Sequence, residues 1–183
     1  MKVATTLVLL LSTLGAASAQ KATLPAKTPF VVAVDTLRAT MLQLSSSHTI
    51  TAEDGTVLPY NVSVIDVSAN PSTCTVTWKN RVDLGSGSRI DTVVVNVRGI
   101  QKVNSVSSTH SKMKADPAIQ IVQIHMNPET PLTRTTERFN AEGKPMGTPD
   151  MNQGPVATIF ANSESEGAAV IKEFTDVMTT CGQ

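Results

Sequence analysis

The sequence predicts an α+β domain of about seven mostly antiparallel strands bracketed by a helix at each end. Two helical periodicities and one long alternating region carry the prediction. Phe30, Val34, Leu37, Met41 and Leu44 recur at intervals of four and three residues, and Val170, Phe174, Val177 and Cys181 do so near the C-terminus. Between them the apolar period falls to two. Turn residues punctuate that region at Glu53-Asp54-Gly55, Asn70-Pro71 and Leu84-Gly85-Ser86-Gly87-Ser88. Residues 29–183 are read as one domain, because no composition break divides them and the length suits a single core.

The segment ahead of that domain reads as an address. Lys2 supplies a positive n-region, Val3 to Leu14 an apolar run, and Ala17-Ser18-Ala19 a small-x-small cleavage site. Residues 1–19 are therefore expected to be a secretory signal peptide. The run is shorter than the ~20 residues that cross a bilayer. No Cys follows it to carry a lipid, and no second long apolar run occurs. The mature chain is expected to be exported, periplasmic or extracellular, and free of a membrane span. Residues 20–28, with Pro25 and small polar residues, are expected to form a flexible lead-in.

Pro29 suits the first turn of the N-terminal helix, although Val31-Val32 is β-prone. His48 to Ala52 and Thr56 to Val67 then form a hairpin, with Leu58, Tyr60, Val62 and Val64 inward. Cys74, Val76 and Trp78 share one face of the next strand, and Val93, Val95 and Val97 one face of a strand from Arg89 to Arg98. Weaker strands are expected over Val103–Ser107, Ala118–His125, Thr133–Phe139 and Val156–Ala161. Asn140 to Pro155, rich in Gly and Pro, is expected to be a long irregular loop. The C-terminal helix opens on a capping box, with Ser163 as cap and Glu166 reaching back, and Gly182 marks its stop.

The only two cysteines are Cys74 and Cys181. In an exported chain such a pair reads as a disulfide. The periodicities place both on core-facing surfaces, which supports the bridge. Spacing alone leaves two separate thiols open.

From Cys74 to Gln183 the order of strands followed by a capped helix resembles pleckstrin-homology-like domains. The ending Phe160-Ala161-Asn162-Ser163-Glu164, with Thr180-Cys181-Gly182 closing the helix, also resembles small exported bacterial proteins of unassigned function. The resemblance implies a bent antiparallel barrel plugged by the C-terminal helix. Members of that family that bind inositol phosphates use basic residues around the first hairpin. Lys79, Arg81 and Arg89 flank the Leu84–Ser88 turn here, and the resemblance makes them candidate ligand-binding residues. The departure is a neutral chain with no dense basic motif: 15 Lys and Arg against 15 Asp and Glu. The plainer reading is three solvated charges near a turn.

Composition narrows the function classes. Net neutrality supplies no field toward nucleic acid or anionic lipid. At 3% aromatic residues the chain lacks stacking platforms for bases or sugars. His48, His110 and His125 are too far apart in sequence for a short zinc motif, and no metal site or cofactor is expected. His48 and His110 lie among polar residues and are expected to be exposed. Gly85-Ser86-Gly87-Ser88 lacks the nucleophile-elbow spacing and reads as a turn. Glu164 and Glu166 suit helix capping, and Glu53 and Asp54 turn chemistry. Asn61-Val62-Ser63 is a glycosylation sequon that lies within a strand. Met146 and Met151 are candidate contact residues in the long loop, with packing onto the domain the favoured alternative. The expectation is an exported, non-enzymatic binding or structural module of the cell envelope, with an unidentified envelope protein or small ligand as partner. A carrier of a small apolar ligand and a hydrolase with an unrecognised site are the alternatives.

Overall fold

The computed structural model describes residues 27–51, 55–110 and 115–181, with the backbone alone at 110, 115 and 116. The expected leader, most of the lead-in, Glu53-Asp54 of the hairpin turn and Gly182 lie outside the described residues.

Helix α1 (Pro29–Met41) is capped by Thr28, whose hydroxyl accepts from the Val31 amide at 3.4 Å. Thr28 thus belongs to the helix rather than to the lead-in. Phe30, Val34, Leu37 and Met41 are its buried residues, as the spacing requires. The strands are β1 (Ser45–Thr51), β2 (Val57–Asn70), β3 (Thr75–Asp83), β4 (Gly87–Asn96), β5 (Ile100–Ser107), β6 (Ala115–Asp116), β7 (Gln120–Met126), β8 (Leu132–Asn140), β9 (Asp150–Gly154) and β10 (Val156–Ala161). Helix α2 (Glu164–Thr180) follows β10. Ser163 accepts from the Glu166 amide at 3.2 Å, and Glu166 reaches back to the Asn162 amide at 2.8 Å, one residue before the cap. The capping box therefore forms with a shifted return bond.

Among the described residues the strands make two antiparallel sheets. Seven lie in the order β6-β1-β2-β3-β4-β8-β9 and three in the order β10-β7-β5. The larger sheet ends at β6 and β9, so the barrel implied by resemblance is replaced by two open sheets. The reason lies in the connections. After β4 the chain turns through a short 3₁₀ segment, Val97–Gly99, whose first amide bonds to Cys74 O at 2.9 Å. It then builds β5 in the second sheet instead of extending the first. Only Pro155 separates β9 in one sheet from β10 in the other.

The long loop also departs from expectation. Residues 150–154 form β9, paired with β8 from Leu132↔Gly154 to Thr136↔Asp150, and Phe139 bridges Pro145. Asp-Met-Asn-Gln-Gly has low β-propensity, so backbone pairing rather than side-chain preference holds this strand. Gly87 opens β4 where a Cβ would lie 2.5 Å from Phe139 O, which requires glycine for the close approach of β8.

A bulge at Ile65 reverses the face of β2: Tyr60, Val62 and Val64 are buried before it and Val67 after it. The inner face of the larger sheet meets α2 at Trp78 and Phe174, whose rings lie 6.0 Å apart at 72°. Both are fully buried, and truncating Phe174 to Ala should cost about 3–5 kcal/mol. From the same face of α2, Val170 and Val177 share that core with Val122, Ile124, Ala157 and Ile159 of the smaller sheet.

Cys74 and Cys181 form a disulfide with their Cα atoms 5.7 Å apart. Cys74 is not on the β3 face, where alternation puts it. It ends the turn after β2 with φ 52°, a left-handed conformation uncommon for a residue with a side chain. Its side chain is nonetheless buried in the main core. Closing the intervening loop, a separation of 107 residues, is worth about 5 kcal/mol in the chain-entropy model. Thiol titration of denatured, unreduced protein should find no free thiol, and two would sink the bridge. Cys181→Ser should lower unfolding free energy by about 2–5 kcal/mol in denaturant titration.

Candidate functional site

The alternation that builds the larger sheet's core also brings polar side chains onto its inner face. On β3, Val76, Trp78, Asn80 and Val82 point inward; on β4, Arg89, Asp91, Val93 and Val95 do. Asn80 lies directly opposite Asp91, and Asp91 opposite Thr136 of β8. A polar row thus crosses three strands beside the apolar rows. Thr158 and Phe160 of β10 face it from the smaller sheet, leaving a crevice that encloses about 50 Å³.

Asp91 organises this crevice. The Thr136 hydroxyl donates to its Oδ1 at 2.7 Å, and Arg89 Nε donates to its Oδ2 at 3.0 Å. Arg89 also donates through Nη2 to the Tyr60 hydroxyl at 2.9 Å. Asp91 is buried and its partner half-buried, so the pair is only partly screened by water. Burial pushes the Tyr60 phenol above its usual range; Arg89 opposes that shift, Asp91 adds to it and Arg134 opposes it. The phenol is therefore protonated at neutral pH. Arg134 lines the same crevice, on the face of β8 opposite Val93.

His48 sits beside this crevice, in a cluster of three rings. Its centroid is 5.2 Å from Tyr60 and 6.1 Å from Phe160, and Tyr60 and Phe160 meet edge-on at 6.0 Å. The expected exposure of His48 is thereby corrected: it is 4% exposed, because Tyr60 packs beside it from the neighbouring β2 and Phe160 comes against it from β10 of the other sheet. Neither ring nitrogen has a hydrogen-bond partner among the described residues. Burial lowers its pKa, favouring the neutral ring.

The sequence-derived candidates do not converge. Lys79 and Arg81 lie on the outer face of β3, where Arg81 pairs with Asp83 at 3.1 Å. Arg89 lies on the inner face, opposite Val82. The three cations thus straddle the sheet and form no common rim, since a strand's period of two puts Arg89 across from the others. Met146 and Met151 are 56% and 74% exposed, so neither packs the loop down. Met146 borders a shallow depression with Leu84 and Phe139. Met151 is on the edge strand opposite Thr135, three strands from Lys79. Among the described residues no helix is long and apolar enough to cross a membrane.

Tyr60, Asn80, Asp91, Arg134, Thr136, Thr158 and Phe160 were not among the candidates. For Asn80 and Asp91 a signal existed: extending the Val76-Trp78 and Val95-Val93 alternations places a polar residue at the next inward position. No such signal exists for Thr158 and Phe160, whose place depends on how the sheets meet.

Fold and site define an α+β domain of two open sheets, tied by a disulfide, with a polar crevice where the sheets part. Comparison with protein-family models, curated proteins and solved structures gives no match.

Two outcomes check the site's energetics. The unfolded His48 takes up a proton near pH 6.5, while the folded one resists until lower pH. Its contribution is fully present above pH 6.5 and declines as pH falls through that value toward the lower folded pKa. Denaturant titrations from pH 7.5 to 5 should show the native chain losing stability relative to His48→Phe, and parallel curves would refute this. A double-mutant cycle of Arg89→Gln and Asp91→Asn should give a coupling energy above about 0.5 kcal/mol, and additive effects would show the pair to be energetically idle.

Proposed function

We propose that this chain is an exported, non-enzymatic binding module of the cell envelope, and that the crevice between the sheets is where it meets its ligand. The observation that carries this is the row Asn80-Asp91-Thr136 at inward positions of an otherwise apolar face. Buried polar groups cost free energy that Val at the same positions would not. A sheet required only to fold would continue the apolar rows, and departures from that rule concentrate at functional sites.

The Cys74–Cys181 disulfide supports an oxidising compartment. The carrier reading draws less support. The crevice encloses about 50 Å³, whereas small-molecule pockets run to about 300–1,000 Å³. An end group of a larger ligand suits it better than a whole apolar molecule.

Nuclear magnetic resonance titration of the oxidised mature chain with a panel of small polar compounds tests the site. Shift changes are expected at Tyr60, Asn80, Asp91, Arg134 and Thr158, and they should vanish in Thr158→Trp, which fills the crevice. Binding mapped elsewhere, or no binding across the panel, would overturn the reading. Export is tested by fusing residues 1–28 to a reporter active only outside the cytoplasm, and a silent reporter counts against it.

A further inference from the structure

The crevice is only partly satisfied, and what it lacks describes a ligand. Asn80 is 6% exposed, and its Oδ1 has no hydrogen-bond partner among the described residues. A buried acceptor in that state favours a donor brought from outside. Asp91 is already committed to Arg89 and Thr136. Arg134 lines the crevice and has no ion-pair partner among the described residues, so the site carries one guanidinium charge in excess. The Tyr60 oxygen accepts from Arg89, which leaves its own proton free to donate.

A matching ligand therefore brings an anion to Arg134 and Tyr60, and an N–H to Asn80. The last residue of a peptide carries both groups on one carbon: its Cα bears the carboxylate and the amide N–H. The enclosed space of about 50 Å³ holds a carboxyl group and little more, and Phe160 forms one wall. We infer that the crevice captures the free C-terminus of a peptide ending in a small residue, with Arg134 on the carboxylate and Asn80 on the terminal amide. This rests on the crevice being the ligand site.

Titration of the oxidised mature chain with N-acetylglycine, N-acetylglycinamide and acetate tests the assignment. N-acetylglycine should shift the signals of Asn80 and Arg134. Capping its carboxylate should weaken binding roughly ten- to a hundredfold, the scale of one lost charge-assisted hydrogen bond. Acetate, lacking the N–H, should bind more weakly than N-acetylglycine. Arg134→Gln should weaken N-acetylglycine to the same degree as the cap, and Arg134→Lys should recover part of the loss, so that a folding defect in the first variant does not decide the matter. Asn80→Leu should narrow the preference for N-acetylglycine over acetate.

Equal binding of the capped compound, or no effect of Arg134→Gln, would overturn the assignment. Equal binding of acetate would reduce the site to a plain anion site and overturn the peptide-end assignment. If all three probes fail while another panel compound still shifts crevice residues, the ligand class is wrong and the binding site stands. If the whole panel fails, both fall.

Discussion

Everything in this molecule depends on one face of α2 packing into the core shared by two sheets that have no hydrogen-bonded ladder in common among the described residues. Its Phe174 meets Trp78 of the larger sheet. Its Gly167 lies so close to the smaller sheet that an added Cβ would touch Gln120 and Val122 at 3.5 and 3.7 Å. Val170 and Val177 complete the same core. The far end of the helix is bonded through Cys181 to the turn after β2. Helix α1 adds a second brace, where Thr40 donates to Glu173 at 2.9 Å. The helix therefore does what shared strands do in a barrel.

The crevice follows from that arrangement. A helix fills the gap between the sheets at one end and leaves the other end to strands alone. At that end β10 faces the larger sheet with Thr158 and Phe160, and the groups opposite include Asp91 and Arg89. An ion pair is tolerable there because one partner reaches solvent and each Asp91 oxygen accepts a hydrogen bond. Deeper in the core, at Trp78 and Val93, the same inward positions are apolar and fully buried. Polarity thus tracks distance from the helix.

Much of the fold was legible. Strict alternation on β3 and β4 gave the faces of both strands, and α2 announced itself through its capping residues and the spacing of Val170, Phe174 and Val177. The disulfide was readable because the sequence has only two cysteines, although Cys74 reaches the core from a turn and not from the β3 face that alternation assigned it. Illegible were features decided by tertiary contact. The Ile65 bulge was missed because alternation was read only through Val64, short of the shift of phase to Val67. Strand β9 has no apolar face to betray it. His48 follows three serines and looks exposed until β10 is placed over it. The site was half legible: its sheet residues follow from alternation, but its opposite wall required the arrangement of two sheets.

Pro155 has a consequence for that arrangement. The strands on either side of it belong to different sheets, and its carbonyl accepts from the Met126 amide at 2.7 Å, which anchors the corner to β7. A proline ring fixes φ, so this corner has one free backbone torsion where any other residue would have two. One of the backbone torsions that set how the chain passes from the larger sheet to the smaller is therefore fixed covalently, at the corner that leads into the strand carrying Thr158 and Phe160 of the crevice wall.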